Sequence, residues 1–167
     1  MSTAPSSPSH AWTDLVHLPD RDRVVEMRKR FEAIAASTPE VRLEELRQIA
    51  TQELGASDEA LRVLATSRLR AWLELEPGTA RTVGAAFDEA VRGLSGELAM
   101  RSTMFAQSIV REFPLAEQRR LAEILPSVAA QVATSSSDTG ERLAQEADDA
   151  RAAMARRRRW WQFWRKG

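Results

Sequence analysis

The chain has 167 residues, 43% of them hydrophobic and 29% charged, with no cysteine and a formal net charge of zero. That is room for one ordinary domain plus tails, with enough apolar residues for a core. It excludes a disulfide framework, a thiolate metal site and a cysteine nucleophile.

Residues 1–11 are rich in Ser, Pro, Ala and Thr and read as a disordered tail, with no secretory leader expected in MSTAPSSPSHAWT. Trp12, Leu15, Val16 and Leu18 form a small apolar cluster before Pro19, best read as a short helix docked on the body. Asp20 is expected to cap a first helix to about Ser37, with Val24, Met27, Phe31, Ile34 and Ala35 as its inner stripe. Thr38-Pro39 opens a second, with Leu43, Leu46, Ile49, Ala50 and Leu54 buried and Gly55 stopping it as a left-handed C-cap. Ser57 starts a third, because Asp58 and Glu59 suit a helix N-terminus; its stripe is Leu61, Leu64, Ala65, Leu69, Trp72 and Leu73.

Pro77-Gly78 is expected to end that helix, and a fourth from about Thr79 presents Val83, Ala86, Phe87, Ala90, Val91 and Leu94. Ser95 caps a fifth, with Leu98, Met104, Phe105, Ile109 and Phe113 pointing inward. Arg101, Ser102, Met104, Gln107 and Arg111 also lie along it. An ordinary amphipathic helix with an exposed side is the preferred reading of these, an interaction edge the alternative. Pro114 breaks the fifth helix, and Leu115–Leu125 form a sixth with Leu121, Ile124 and Leu125 as its apolar edge. No alternating β-branched run and no Asn-Gly or Asp-Gly hairpin occurs. The predicted fold class is all-α: a compact bundle of about six helices over residues 12–134. An echo between Leu46–Thr51 and Leu61–Thr66 reads as shared helix vocabulary, since a tandem repeat needs a third copy.

Residues 135–140, SSSDTG, read as a Ser-rich hinge, and 141–167 as a helical arm with few core-quality residues. The arm carries the feature furthest from globular composition. Arg156, Arg157, Arg158 and Arg159 run into Trp160, Trp161, Phe163 and Trp164, followed by Arg165 and Lys166. All 24 acids lie at or before Asp149, so residues 1–155 hold 18 bases against 24 acids, a net −6, while 156–167 carry +6. Such an asymmetry points the tail toward an acidic partner. Placed on a helix at about 100° per residue, the four rings share one arc of roughly 160°. Arg158, Arg159, Gln162, Arg165 and Lys166 take the opposite face, while the stems of Arg156 and Arg157 can snorkel from the ring-bearing side. Rings at a headgroup boundary with cations toward anionic lipid is the layout of an interfacial helix. The composition resembles that of tryptophan- and arginine-rich membrane-active peptides, over twelve residues only.

Chemistry has few candidates. His10 and His17 are the two histidines, and no His-Glu-x-x-His, phosphate loop or nucleophile elbow is present. Glu44-Glu45 and Asp148-Asp149 are neighbours that diverge by about 100° on a helix, so they read as solvated faces. No catalytic residue, cofactor or metal site is therefore expected. Ile124–Ser137, the longest uncharged internal run, contains Pro126, Gln131 and four serines, too polar to span a bilayer. The expected function is a non-enzymatic adaptor or scaffold, cytoplasmic and peripheral at the inner face of the membrane. Its tail would meet anionic lipid, and its body a protein partner or itself. The alternative is a soluble helical interaction module whose tail is a recruitment peptide for a partner protein or, less favoured, for nucleic acid.

Overall fold

The computed structural model describes residues 11–129, and among them every regular element is helical. A 3-10 helix, Trp12–His17, precedes α1 (Asp20–Ala36), α2 (Pro39–Gly55), α3 (Asp58–Glu74), α4 (Pro77–Arg92), α5 (Gly96–Val110) and α6 (Leu115–Ile124). A further helical turn begins at Pro126. The all-α bundle expected from periodicity is what forms. The hinge at 135–140 and the arm at 141–167 lie outside the described residues.

The helix starts are evenly spaced. Asp20, Pro39, Asp58, Pro77, Gly96 and Leu115 follow one another at intervals of 19 residues. Four successive interhelical links present a capping side chain at the same interval. Thr38, Ser57, Glu76 and Ser95 accept hydrogen bonds from the backbone N–H groups of Val41, Ala60, Thr79 and Leu98. Each side-chain acceptor satisfies one of the donors a helix start leaves open. The Leu46–Thr51 echo has a different offset and is unrelated to this spacing. The period is carried by caps, which differ in residue type, so it escapes a search for repeated words.

The links set the packing. Ser37, Ala56 and Leu75, the residues that follow α1, α2 and α3, are all extended. Two-residue extended links turn a corner, so helices adjacent in sequence share limited contact. The heaviest packing is between alternate helices, α1 on α3 and α2 on α4, with α6 then against α4. The seventh residue after each of the first four helix starts is buried: Met27, Leu46, Ala65 and Gly84. At the last of these a side chain has no room, since a Cβ on Gly84 would overlap the carbonyl oxygen of Ile124 on α6.

Several local expectations are corrected. Gly55 is the last residue of α2, not a left-handed cap, and no residue among those described has positive φ. Its role is taken by Arg101 on α5, whose guanidinium donates to Leu54 O (2.7 Å), Ala56 O (2.8 Å) and Asp58 Oδ1 (2.7 Å). Asp20 is the first residue inside α1 rather than its cap, which is Pro19. Pro77-Gly78 opens α4 instead of merely closing α3, because Glu76 folds back as the cap. Met104, expected in the core, is 65% exposed; α5 turns Ile109 and Val110 inward. The predicted docking of the first cluster holds: Trp12 and Leu15 are buried and Val16 and Leu18 half-buried.

Two glycines therefore respond oppositely to alanine. Gly84→Ala should lower the unfolding free energy by about 1–3 kcal/mol through overpacking against α6. Gly55→Ala, whose Cβ meets nothing within 4 Å, should raise it by about 0.4–1 kcal/mol by restricting the unfolded chain. Urea unfolding midpoints measure both.

Candidate functional site

The inner stripes of α2 and α3 each contain a charge. Glu53 continues the series Leu46, Ile49 and Ala50, and Arg68 stands one turn from Leu64 and one from Trp72. Glu53 is 1% exposed and Arg68 7%. They meet as a fork. Arg68 Nε and Nη2 donate to Glu53 Oε1 at 3.1 and 3.0 Å, and Nε also reaches Oε2 at 3.2 Å. Trp12 Nε1 donates to Oε2 at 3.0 Å, which ties the 3-10 helix to the pair. Charges removed from water survive only when paired and hydrogen-bonded, and both oxygens of this carboxylate are occupied.

Rings enclose the pair. Trp12, Phe31, Trp72 and Phe87 form an edge-to-face ladder with centroid separations of 5.4, 5.5 and 5.3 Å. The Arg68 guanidinium carbon lies 4.6 Å from the Trp72 ring centroid and 4.2 Å from that of Phe87. Edge-to-face geometry suits the ring quadrupoles, and the ring faces attract the cation. One cluster thus joins the 3-10 helix, α1, α2, α3 and α4.

A cavity of about 30 Å³ lies alongside, lined in part by Glu53, Arg68, Asp88, Phe105 and Ser127. That is space for a water or two, too little for an organic substrate. Asp88 is engaged, since its two oxygens accept from Ser127 N and Ser127 Oγ, each at 2.8 Å. A wider groove of about 390 Å³ runs beside the 3-10 helix, with Trp12, Ile34 and Ile49 among its apolar lining and Arg30, Glu45 and Gln48 among its polar lining. Arg30 pairs there with Glu26 at 3.1 Å.

His17 is exposed on the 3-10 helix, and His10 lies outside the described residues. Glu44 binds Arg47 and Gln48 within its own helix, at 2.9 and 3.2 Å. Among the described residues no group of three or more His, Asp or Glu could hold a metal ion. Arg156–Arg159, Trp160, Trp161, Phe163, Trp164, Arg165 and Lys166, the tail expected to bind partners, lie outside the described residues, as do Asp148 and Asp149. Arg101 and Arg111 separate in role: Arg101 clamps the α2–α3 corner, while Arg111 is exposed.

What sequence reasoning missed is the Glu53–Arg68 lock. Its signal was present, because opposite charges occupy inner-stripe positions on two helices, a placement each would avoid without the other. No protein-family model matches the chain, and neither curated proteins nor solved structures match it.

Glu53→Ala should cost about 3–5 kcal/mol, because it strands a buried guanidinium, and Glu53→Leu combined with Arg68→Met should recover most of the loss. Chemical denaturation of the three chains gives the comparison. A second effect concerns acid. The Glu76 carboxyl is held below its ordinary value of 4.5 by the backbone N–H of Gly78, then by that of Thr79, with smaller help from the Thr79 hydroxyl and Arg81. A lowered folded-state value means the cap stabilises the fold above the ordinary value and loses that contribution as pH falls through the depressed one. Glu76→Gln should therefore flatten the stability–pH curve below about pH 4.5 and leave its shape near neutrality unchanged.

Proposed function

We propose that this protein is a non-enzymatic helical scaffold held reversibly at an anionic membrane surface by its Arg/Trp segment. The observation that carries the reading is the sequence of residues 156–166, six cations beside four aromatic rings, against a net −6 over residues 1–155. Electrostatic attraction offers about 1 kcal/mol per cation near such a surface, so roughly 6 kcal/mol before screening. The rings add interfacial burial, and the segment has too short an apolar face for permanent insertion. No helix among the described residues is long and apolar enough to cross a membrane. The scaffold reading is supported by the central buried pair, whose charges are spent on packing: Glu53 accepts from both Arg68 and Trp12. The cytoplasmic face, rich in anionic lipid, is the location that fits the charge of the tail.

Sedimentation with anionic vesicles tests the assignment. The full chain should pellet, a chain ending at Ala155 should stay in solution, and equal pelleting of the two would remove lipid from the proposal. Alanine at Trp160, Trp161, Phe163 and Trp164 separates rings from charge. Weakened binding that persists in high salt for the parent chain, but not for the variant, shows that the rings contribute beyond charge.

A further inference from the structure

The outer face of α5 repeats at three- and four-residue spacing: Glu97, Met100, Met104, Gln107 and Arg111, all exposed. Met100 is 68% and Met104 65% exposed, two of the four large hydrophobic residues that the described body leaves in solvent. Arg111 keeps helical backbone angles (φ −65°, ψ −19°), so the stripe runs unbroken to its last member. Alternating three- and four-residue steps are the seam along which one helix packs on another. The seam has an acid at one end, a base at the other and a methionine at its midpoint.

We infer that α5 pairs antiparallel with α5 of a second copy of this chain, about a two-fold axis beside Met104. Residues whose numbers sum to 208 then face each other. Met104 meets its own counterpart, Met100 lies next to Gln107 and Ser108 of the second copy, and Glu97 faces Arg111 at both ends. A parallel pairing would set Glu97 beside Glu97 and Arg111 beside Arg111, so the charges select the antiparallel direction. The arrangement is self-complementary, as a two-fold interface requires. Methionine suits such a seam because its unbranched side chain fills irregular gaps. The flanking charges are already committed: Arg101 to Leu54 O, Ala56 O and Asp58, and Arg62 to Ser108 and Glu112. Their charges are met within one copy and do not compete for Glu97. The inference rests on the scaffold reading of the body and not on the lipid reading of the tail.

The chain has no cysteine, so Met104→Cys introduces a single thiol placed at the axis. Under copper-catalysed air oxidation the full-length variant should form a disulfide-linked dimer, and Gln48→Cys, exposed on α2, should not. Sedimentation equilibrium supplies the second arm. Glu97→Arg or Arg111→Glu alone should raise the dimer Kd roughly tenfold or more, and the two together should restore it. Replacing the four tail rings with alanine should leave this dimer intact even where it abolishes vesicle binding, so failure of one reading is distinguishable from failure of the other. A chain that stays monomeric at high micromolar concentration, single reversals without effect, or cross-linking no better than the Gln48→Cys control would overturn the pairing.

Discussion

An α-helix leaves its last carbonyls without donors, and the body of this protein meets that constraint with arginines borrowed from other helices. Helices α1, α2 and α3 have no basic residue in their own last turns. Arg42 on α2 donates to Ile34 O, Ala35 O and Ser37 O at the end of α1. Arg101 on α5 serves the end of α2, and Arg120 on α6 donates to Leu73 O at the end of α3. A planar guanidinium can reach two or three carbonyls at once, which an ammonium does less readily. Because each donor comes from a different helix, satisfying a helix end also fixes where that helix stands. Two of these bonds, to Ser37 O and Ala56 O, fall on the extended links themselves and brace the corners they turn.

The second fixed point is the Glu53–Arg68 pair. An apolar replacement of similar volume would fill the same space, so the pair is not there for raw stability. Its effect is geometric. Three hydrogen bonds from one guanidinium and one from the Trp12 indole tie the 3-10 helix, α2 and α3 to one another. The Trp12–Phe31–Trp72–Phe87 ladder adds ring contacts to α1 and α4. Each oxygen of the Glu53 carboxylate accepts from two donor atoms, the Arg68 Nε–H being shared between them. The polar interior thus joins the helices that contribute to it.

Two candidate interaction features remain, the Arg/Trp sequence of residues 156–166 and the outer stripe of α5, and each would use different physics. The Arg/Trp segment offers dense positive charge beside rings, a combination suited to a broad anionic boundary. The α5 seam offers modest apolar area with one charge at each end, which suits one helix of matching pattern in one direction. A scaffold that pairs through α5 would present two such segments, and two weak anchors joined in one particle hold a surface more tightly than either alone.

Fold class, helix number and most inner stripes were legible in the sequence because helical periodicity and N-terminal caps are local properties. Val24, Met27, Phe31, Leu61, Leu64, Trp72 and Leu121 declare their burial by spacing alone. The sequence also determined the charge division between residues 1–155 and 156–167, which needs no fold. Tertiary structure decided what depends on a partner from elsewhere in the chain. Glu53 and Arg68 are buried because each neutralises the other across two helices, and α2 ends without a left-handed glycine because Arg101 arrives from α5. Met104 has core chemistry and lies in solvent because α5 packs through Ile109 and Val110 near its C-terminal end. Spacing along a helix says which residues share a face; only the arrangement of the other helices determines which face is covered.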